Sequence, residues 1–170
     1  VADPAAVEAE IHALKGVKSE TKLISAKALL MKGSEAEFDM DGDMSTMPTC
    51  YLFAGENDTY FSMFPGQHIT EGTYPDKTEN TMLVDVRLRD KYQKFYKRTL
   101  NVGDSILVAG YGTQGTVREA KVCGFYTQPE EHSAMYPLVY CNPSFARAFA
   151  DLTYGAPRAE EPPVTLDTTL

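Results

Sequence analysis

The stretch that most constrains the fold is residues 100–127, Leu-Asn-Val-Gly-Asp-Ser-Ile-Leu-Val-Ala-Gly-Tyr-Gly-Thr-Gln-Gly-Thr-Val-Arg-Glu-Ala-Lys-Val-Cys-Gly-Phe-Tyr-Thr. Residues 105–109 are a short apolar run, and residues 116–127 alternate for most of their length. Val117, Glu119, Lys121 and Cys123 fall on one side; Arg118, Ala120, Val122 and Gly124 fall on the other. Side chains two apart share a face of a strand, so the second run predicts a half-buried strand. Gly110-Tyr111-Gly112-Thr113-Gln114-Gly115 lies between them as a turn that joins antiparallel neighbours. The pair predicts a β-hairpin, with the rest of the domain packed around it.

The same turn matches a dinucleotide-binding spacing at Gly110, Gly112 and Gly115. That chemistry needs a helix N-terminus after the last glycine, because helix amides and dipole hold the pyrophosphate. Residues 116–127 have strand period instead, so the hairpin reading prevails and no cofactor is expected.

Composition sets further limits. A chain of 170 residues is long enough for one domain with a real core, or for two small lobes. A net charge of −8 argues against nucleic acid and anionic membrane surfaces as nonspecific partners, since both select clustered Lys and Arg. No apolar run reaches the length that spans a bilayer. Without an initiator methionine or a signal peptide, the chain reads as cut from something longer. Cys50, Cys123 and Cys141 are too scattered for a zinc site or a disulfide framework. Cys123 and Cys141 fall in two strands that a disulfide would join if they were neighbours; buried free thiols are the favoured reading.

Along the chain, Asp3-Pro4 predicts a capped helix start, with Ala6, Val7, Ile11 and Leu14 as its apolar stripe and Lys15-Gly16 as its end. His12 sits one step off that stripe and reads as a boundary residue. Residues 17–31 predict a long strand, turned at Gly33-Ser34, with residues 35–40 as its returning partner. The loop 39–48 carries Asp39, Asp41 and Asp43 but lacks the residue order of a calcium loop. Residues 49–54 predict a buried strand, and residues 60–64 an aromatic cluster that packs under the following turns. Residues 66–76 read as irregular chain punctuated by glycine and proline.

Residues 81–84 predict a short strand, and Asp85 the cap of a helix from Val86 to about Arg98. Its buried face is Leu88, Tyr92, Phe95 and Tyr96; Arg87, Arg89, Lys91, Lys94 and Lys97 face solvent. Residues 128–135 form a loop with Glu130, Glu131 and His132. Residues 138–141 are a strand, and Asn142-Pro143 opens a helix with Phe145, Phe149 and Leu152 inward. The domain thus covers residues 1–155, and 156–170 are a linker or a final strand. The fold class is α+β, a mixed or antiparallel sheet with about three packed helices.

No Walker loop, nucleophile elbow or metalloprotease helix is present, and neither catalytic nor metal residues are assigned. Glu130, Glu131 and His132 offer acid, base and ligand, but on one loop with no second cluster. A hydrolase on those three is the weakest reading.

The order of the elements carries a resemblance. A capped helix closing on Leu14-Lys-Gly-Val17 precedes a long strand, then Glu71-Gly-Thr-Tyr-Pro75, Met82-Leu-Val-Asp85 with its helix, and Leu100-Asn-Val-Gly-Asp-Ser-Ile-Leu-Val108. Val122-Cys-Gly-Phe-Tyr126, Leu138-Val-Tyr140 and a short helix complete the series. Across about residues 3–155 this resembles the extracytoplasmic domain of FtsX/MacB-type ABC-transporter permeases, the MacB-like periplasmic core domain. The resemblance implies a non-enzymatic domain between the first two transmembrane helices of a permease, outside the cytoplasmic membrane. Its implied partners are its own transmembrane helices, a cytoplasmic ABC ATPase, and a substrate or adaptor protein, with pairing to a second copy left open. A stand-alone ligand- or peptide-binding domain is the alternative. For partner contacts the exposed loops supply Asp39, Asp41, Asp43, Glu130, Glu131 and His132 as candidates.

Overall fold

The computed structural model describes residues 3–18, 20–33, 43–55, 58–111, 116–129 and 137–150. Helix α1 spans Pro4–His12, and strand β1 spans Leu23–Leu30. A 310 turn at Met44–Thr46 leads to β2, Thr49–Gly55. The single-turn helix α2, Thr59–Ser62, precedes β3 at His68–Gly72 and β4 at Thr81–Asp85. Helix α3 is Val86–Tyr96, and the hairpin strands are β5, Ser105–Gly110, and β6, Val117–Thr127. Strand β7, Leu138–Cys141, and helix α4, Pro143–Phe149, complete the described elements. This is an α+β fold with a mixed sheet.

The seven strands make one sheet in the order β3-β6-β4-β7-β2-β1-β5, and β5 pairs in turn with β6. Six strands therefore close into a ring, and β3 is added to β6 beyond the end of β5. The β4–β6 and β2–β7 pairings are parallel; the others are antiparallel. Closure has an energetic reason: a strand bonded on both sides leaves no backbone edge open to another chain.

One face of the ring takes buried apolar side chains from all six of its strands, including Leu30, Leu52, Val84, Val108, Val122 and Val139. Helices α3 and α4 supply Leu88, Tyr92, Phe95, Phe145 and Phe149 to the same cluster. Helix α4 lies against β1 and β2. Those strands present Ala26, Ala28 and Ala54 to the cluster, small residues that leave volume for helical phenylalanines. Two tyrosines of α3 pin it to the end of β1. Tyr96 donates its hydroxyl to the Leu30 carbonyl (2.9 Å), and Tyr92 accepts from the Gly33 amide (3.1 Å). The buried face of α3 is the one the sequence predicts, Leu88, Tyr92, Phe95 and Tyr96.

The opposite face has a smaller aromatic cluster where β4, β6 and β7 meet. Leu83, Tyr126 and Tyr140 are buried there, with Phe53, Tyr60, Phe61, Ile69 and Tyr74 packed against them. Phe61 stands edge-on to Tyr126 and Tyr140 at centroid distances of 5.5 and 5.2 Å. The 60–64 segment therefore packs as a half-buried lid over the sheet.

Four expectations change. Helix α1 forms with its cap, Asp3 Oδ1 accepting from the Ala5 and Ala6 amides at 3.0 and 3.2 Å. Its expected stripe packs only in part: Ile11 is half-buried, but Val7 is 42% exposed and Leu14, just beyond the helix, 61%. Strand β1 begins at Leu23, later than predicted. Residues 68–72, read as irregular, form β3, because the pairing comes from β6 and not from local period. The expected helix to Arg98 stops at Tyr96, where Lys97 adopts a left-handed conformation (φ 53°).

The β6 alternation holds through Ala120 and Val122, both buried, and then shifts. Met82 pairs with Val122 and Leu83 with Gly124, so Cys123 is an extra residue, a bulge. Phe125 consequently joins the same cluster as Ala120 and Val122, while Tyr126 turns to the aromatic face. The predicted partner at 35–40, Leu152 and the 156–170 segment lie outside the described residues.

Candidate functional site

Strand β3 leaves the sheet at Gly72, and the geometry there shapes a concavity beside β6. Gly72 has φ +78°, and a Cβ on it would lie 2.1 Å from the Cys123 carbonyl oxygen. Gly124, its register partner, would place a Cβ 2.6 Å from the Glu71 carbonyl oxygen. Two glycines face to face let β3 and β6 approach closely, and the chain turns directly over β6.

The segment 73–80 is then tied down along its length. The Thr73 amide donates to the Cys123 carbonyl (2.9 Å), and the Cys123 thiol donates to the Thr73 carbonyl (3.3 Å). Asp76 makes an Asx turn, accepting from the Thr78 amide (2.7 Å) and hydroxyl (2.6 Å). Its own amide donates to Thr81 Oγ1 (3.0 Å). The Lys121 amide donates to the Asn80 carbonyl (2.8 Å), and Asn142 Nδ2 donates to the Glu79 carbonyl.

A cavity of about 730 Å3 opens between this segment, β6 and the turn at Val102-Gly103, with Tyr74, Asp76, Lys77, Lys121 and Cys123 in its lining. A second, of about 270 Å3, lies across the Tyr74–Lys77 ridge, against Gly55, Asp58, Asn142 and Pro143. The larger cavity mixes Lys77 and Lys121 with Asp76 and Glu79, so the groove selects neither a strong anion nor a strong cation.

Its chemistry is that of contact. Desolvation pushes the Cys123 thiol up to about 11, so it stays protonated at neutral pH and is a poor nucleophile. Burial, with Tyr140 nearby, raises the Tyr74 phenol as well. The Thr78 hydrogen bonds hold Asp76 below the usual carboxylate range. His68, on β3, has Nδ1 3.1 Å from the Gly66 carbonyl and Nε2 3.1 Å from the Thr127 hydroxyl.

A polar chain sits at the other end of β4. Asp85 is wholly buried, accepts from the Arg87 amide as helix cap (2.8 Å) and takes the Arg87 guanidinium on both oxygens. Gln128 Nε2 donates to Asp85 (3.2 Å), Gln67 Nε2 to Gln128 (3.0 Å), and the Tyr140 hydroxyl to Gln67 (3.3 Å). Donating to the Asp85 carboxylate holds Arg87 above its ordinary range. Every group in this chain is partnered, as a buried polar network must be. The network also removes Arg87 from the basic face expected on α3. Arg89 lies over the Phe125 ring at 4.7 Å and 3.9 Å from Glu71.

Of the loop candidates, Asp43 is exposed and caps the 310 turn, accepting from the Ser45 amide at 2.9 Å. Hydrogen bonding from Ser45 lowers its carboxyl below the ordinary value. Asp39, Asp41, Glu130, Glu131 and His132 lie outside the described residues. The groove was not singled out from sequence. Its available signals were Asp76-x-Thr78, an Asx turn, and the paired glycines at 72 and 124. The cysteines Cys50, Cys123 and Cys141 are free thiols.

No family model matches the sequence, and no curated protein matches it. Among solved structures, the chain is similar to a domain of "a putative Permease protein" from Porphyromonas gingivalis, at 14% identity and a TM-score of 0.43. The match covers 84% of this chain and 54% of that one, about half the neighbour's length. At that depth of overlap the likeness carries no functional argument.

Proposed function

We propose that the chain is an extracytoplasmic module of an ABC-transporter permease of the FtsX/MacB type. It engages a substrate or partner protein outside the cytoplasmic membrane and passes ATP-driven motion on to it. One observation carries this reading: three motifs of the resemblance converge on one groove. Gly72 to Pro75, the Val102-Gly103 turn and the Val122-Cys123 step all border the larger cavity or lead into it. The first motif is far in sequence from the other two, which the β5–β6 hairpin brings together, so its meeting with them supports a shared architecture.

The module does no chemistry in this reading; the ATPase is a separate domain or subunit. Its task is to move as a body. A ring in which each strand is bonded on both sides suits that task, because a tilt applied at one side is not absorbed by a free edge. The acidic net charge suits a domain that stays off anionic headgroups.

The test is the parent reading frame on both sides of the chain. One apolar run of about 20 residues before it and three after it would establish a four-helix permease. Flanks without such runs would sink the proposal. The second reading, a stand-alone peptide- or ligand-binding module, would then lead, and the mixed-charge groove is the observation that favours it.

A further inference from the structure

We propose that Glu8, His12 and Glu20 form a binding site for one divalent transition-metal ion of the zinc class, which clamps α1 to the chain entering β1. Glu8 and His12 are four residues apart on α1 and so share one face of the helix. Glu20, on the chain between α1 and β1, meets them: His12 Nε2 lies 2.9 Å from Glu20 Oε1. One ligand atom from each residue lies within 4.8 Å of the other two. Around a tetrahedral ion at about 2.0–2.2 Å, ligand atoms are roughly 3.4 Å apart, within reach of small side-chain rotations.

A second observation singles out Glu20. Its side chain is 24% exposed, yet its other oxygen, Oε2, is shielded and takes no hydrogen bond from the protein. A carboxylate oxygen removed from water without a donor is costly, and a bound cation is the partner that removes the cost. The donor set fixes the class of ion. One imidazole and two carboxylates suit zinc and its neighbours, whereas magnesium and calcium prefer oxygen alone.

The site also answers a structural need. Helix α1 and the turn after it leave Val7 and Leu14 exposed, so little apolar burial holds them. Glu8 is ion-paired to Lys22 at 2.8 Å and His12 Nε2 contacts Glu20, and both ties are ones the ion would take over or reinforce. Lys22 is the competitor. Its ammonium occupies the Glu8 carboxylate that the metal needs.

The experiment is calorimetric titration of the whole chain with Zn2+, paired with amide hydrogen exchange over α1. One saturable site is expected that His12→Ala and Glu20→Gln each weaken about tenfold or more. Lys22→Met should tighten it, and Zn2+ should slow exchange in α1 of the parent chain but not of His12→Ala. Unchanged exchange across the ring strands serves as the check that each variant is folded. Zinc binding that survives His12→Ala at full strength would overturn the site. Equal slowing of α1 by Mg2+ would also overturn it, because charge screening would then suffice.

Discussion

At the scale of single residues, the glycines separate two kinds of constraint. Gly72 and Gly103 both have positive φ, at +78° and +95°. A side chain at Gly103 meets open space, whereas one at Gly72 meets the backbone of β6. Replacing Gly103 by alanine therefore costs only the left-handed strain, about 1–2 kcal/mol. Replacing Gly72 adds a backbone clash that no rotamer relieves, and the expected loss is about 3 kcal/mol or more. Urea unfolding of Gly72→Ala and Gly103→Ala checks this; equal losses would mean that the β3–β6 approach is not tight. The same contrast separates a glycine held by strain alone from one held by close approach. Both answer to backbone geometry, and the groove is what that geometry leaves behind.

At the scale of elements, α3 depends on one carboxylate. Asp85 caps the helix, pairs with Arg87 and accepts from Gln128 while wholly buried. Asp85→Ala removes the cap and the acceptor shared by Arg87 and Gln128, and should cost about 3 kcal/mol. Asp85→Asn keeps a cap acceptor and should cost less; thermal unfolding of the two variants ranks them, and equal losses would deny the cap its role. This element was legible in the sequence, because cap, apolar stripe and basic face are local signals on one helix. The β5–β6 hairpin was legible for the same reason. Strand β3 was not: of its side chains only Ile69 is half-buried, and its register comes from β6 with a bulge at Thr70. Helix α1 shows the converse, a correct start from Asp3 and Pro4 with a stripe that the described residues leave exposed at Val7 and Leu14. The Glu8–His12–Glu20 cluster was missed because Glu20 reaches the helix only through the tertiary path of the chain.

At the scale of the whole molecule, the closed ring gathers ionisable groups that must remain neutral. Burial pushes the Cys50 thiol up to about 12 and raises Cys141 as well. Desolvation likewise raises the phenols of Tyr126 and Tyr140, the latter to about 12. For an acid that is neutral in the fold, a raised value means that the unfolded chain loses its proton first. Below about pH 8.5, the ordinary thiol range, both states hold their protons and stability does not depend on these groups. From about pH 9 upward the unfolded chain ionises at Cys50 and Cys141 while the native one does not. Stability should then fall by about 1.4 kcal/mol per pH unit for each thiol, roughly 3 kcal/mol for the pair. Above about pH 10 the tyrosines join and the fall steepens. Urea midpoints at pH 8, 9 and 10 measure the slope, with Cys50→Ala/Cys141→Ala as the comparison. The double variant starts less stable, because two buried side chains are shortened, and it should keep only the shallower slope of Cys123, whose thiol is raised to about 11. An equally steep decline in the double variant would show that the thiols are not sealed in the ring, and that closure of β5 onto β6 does not exclude water.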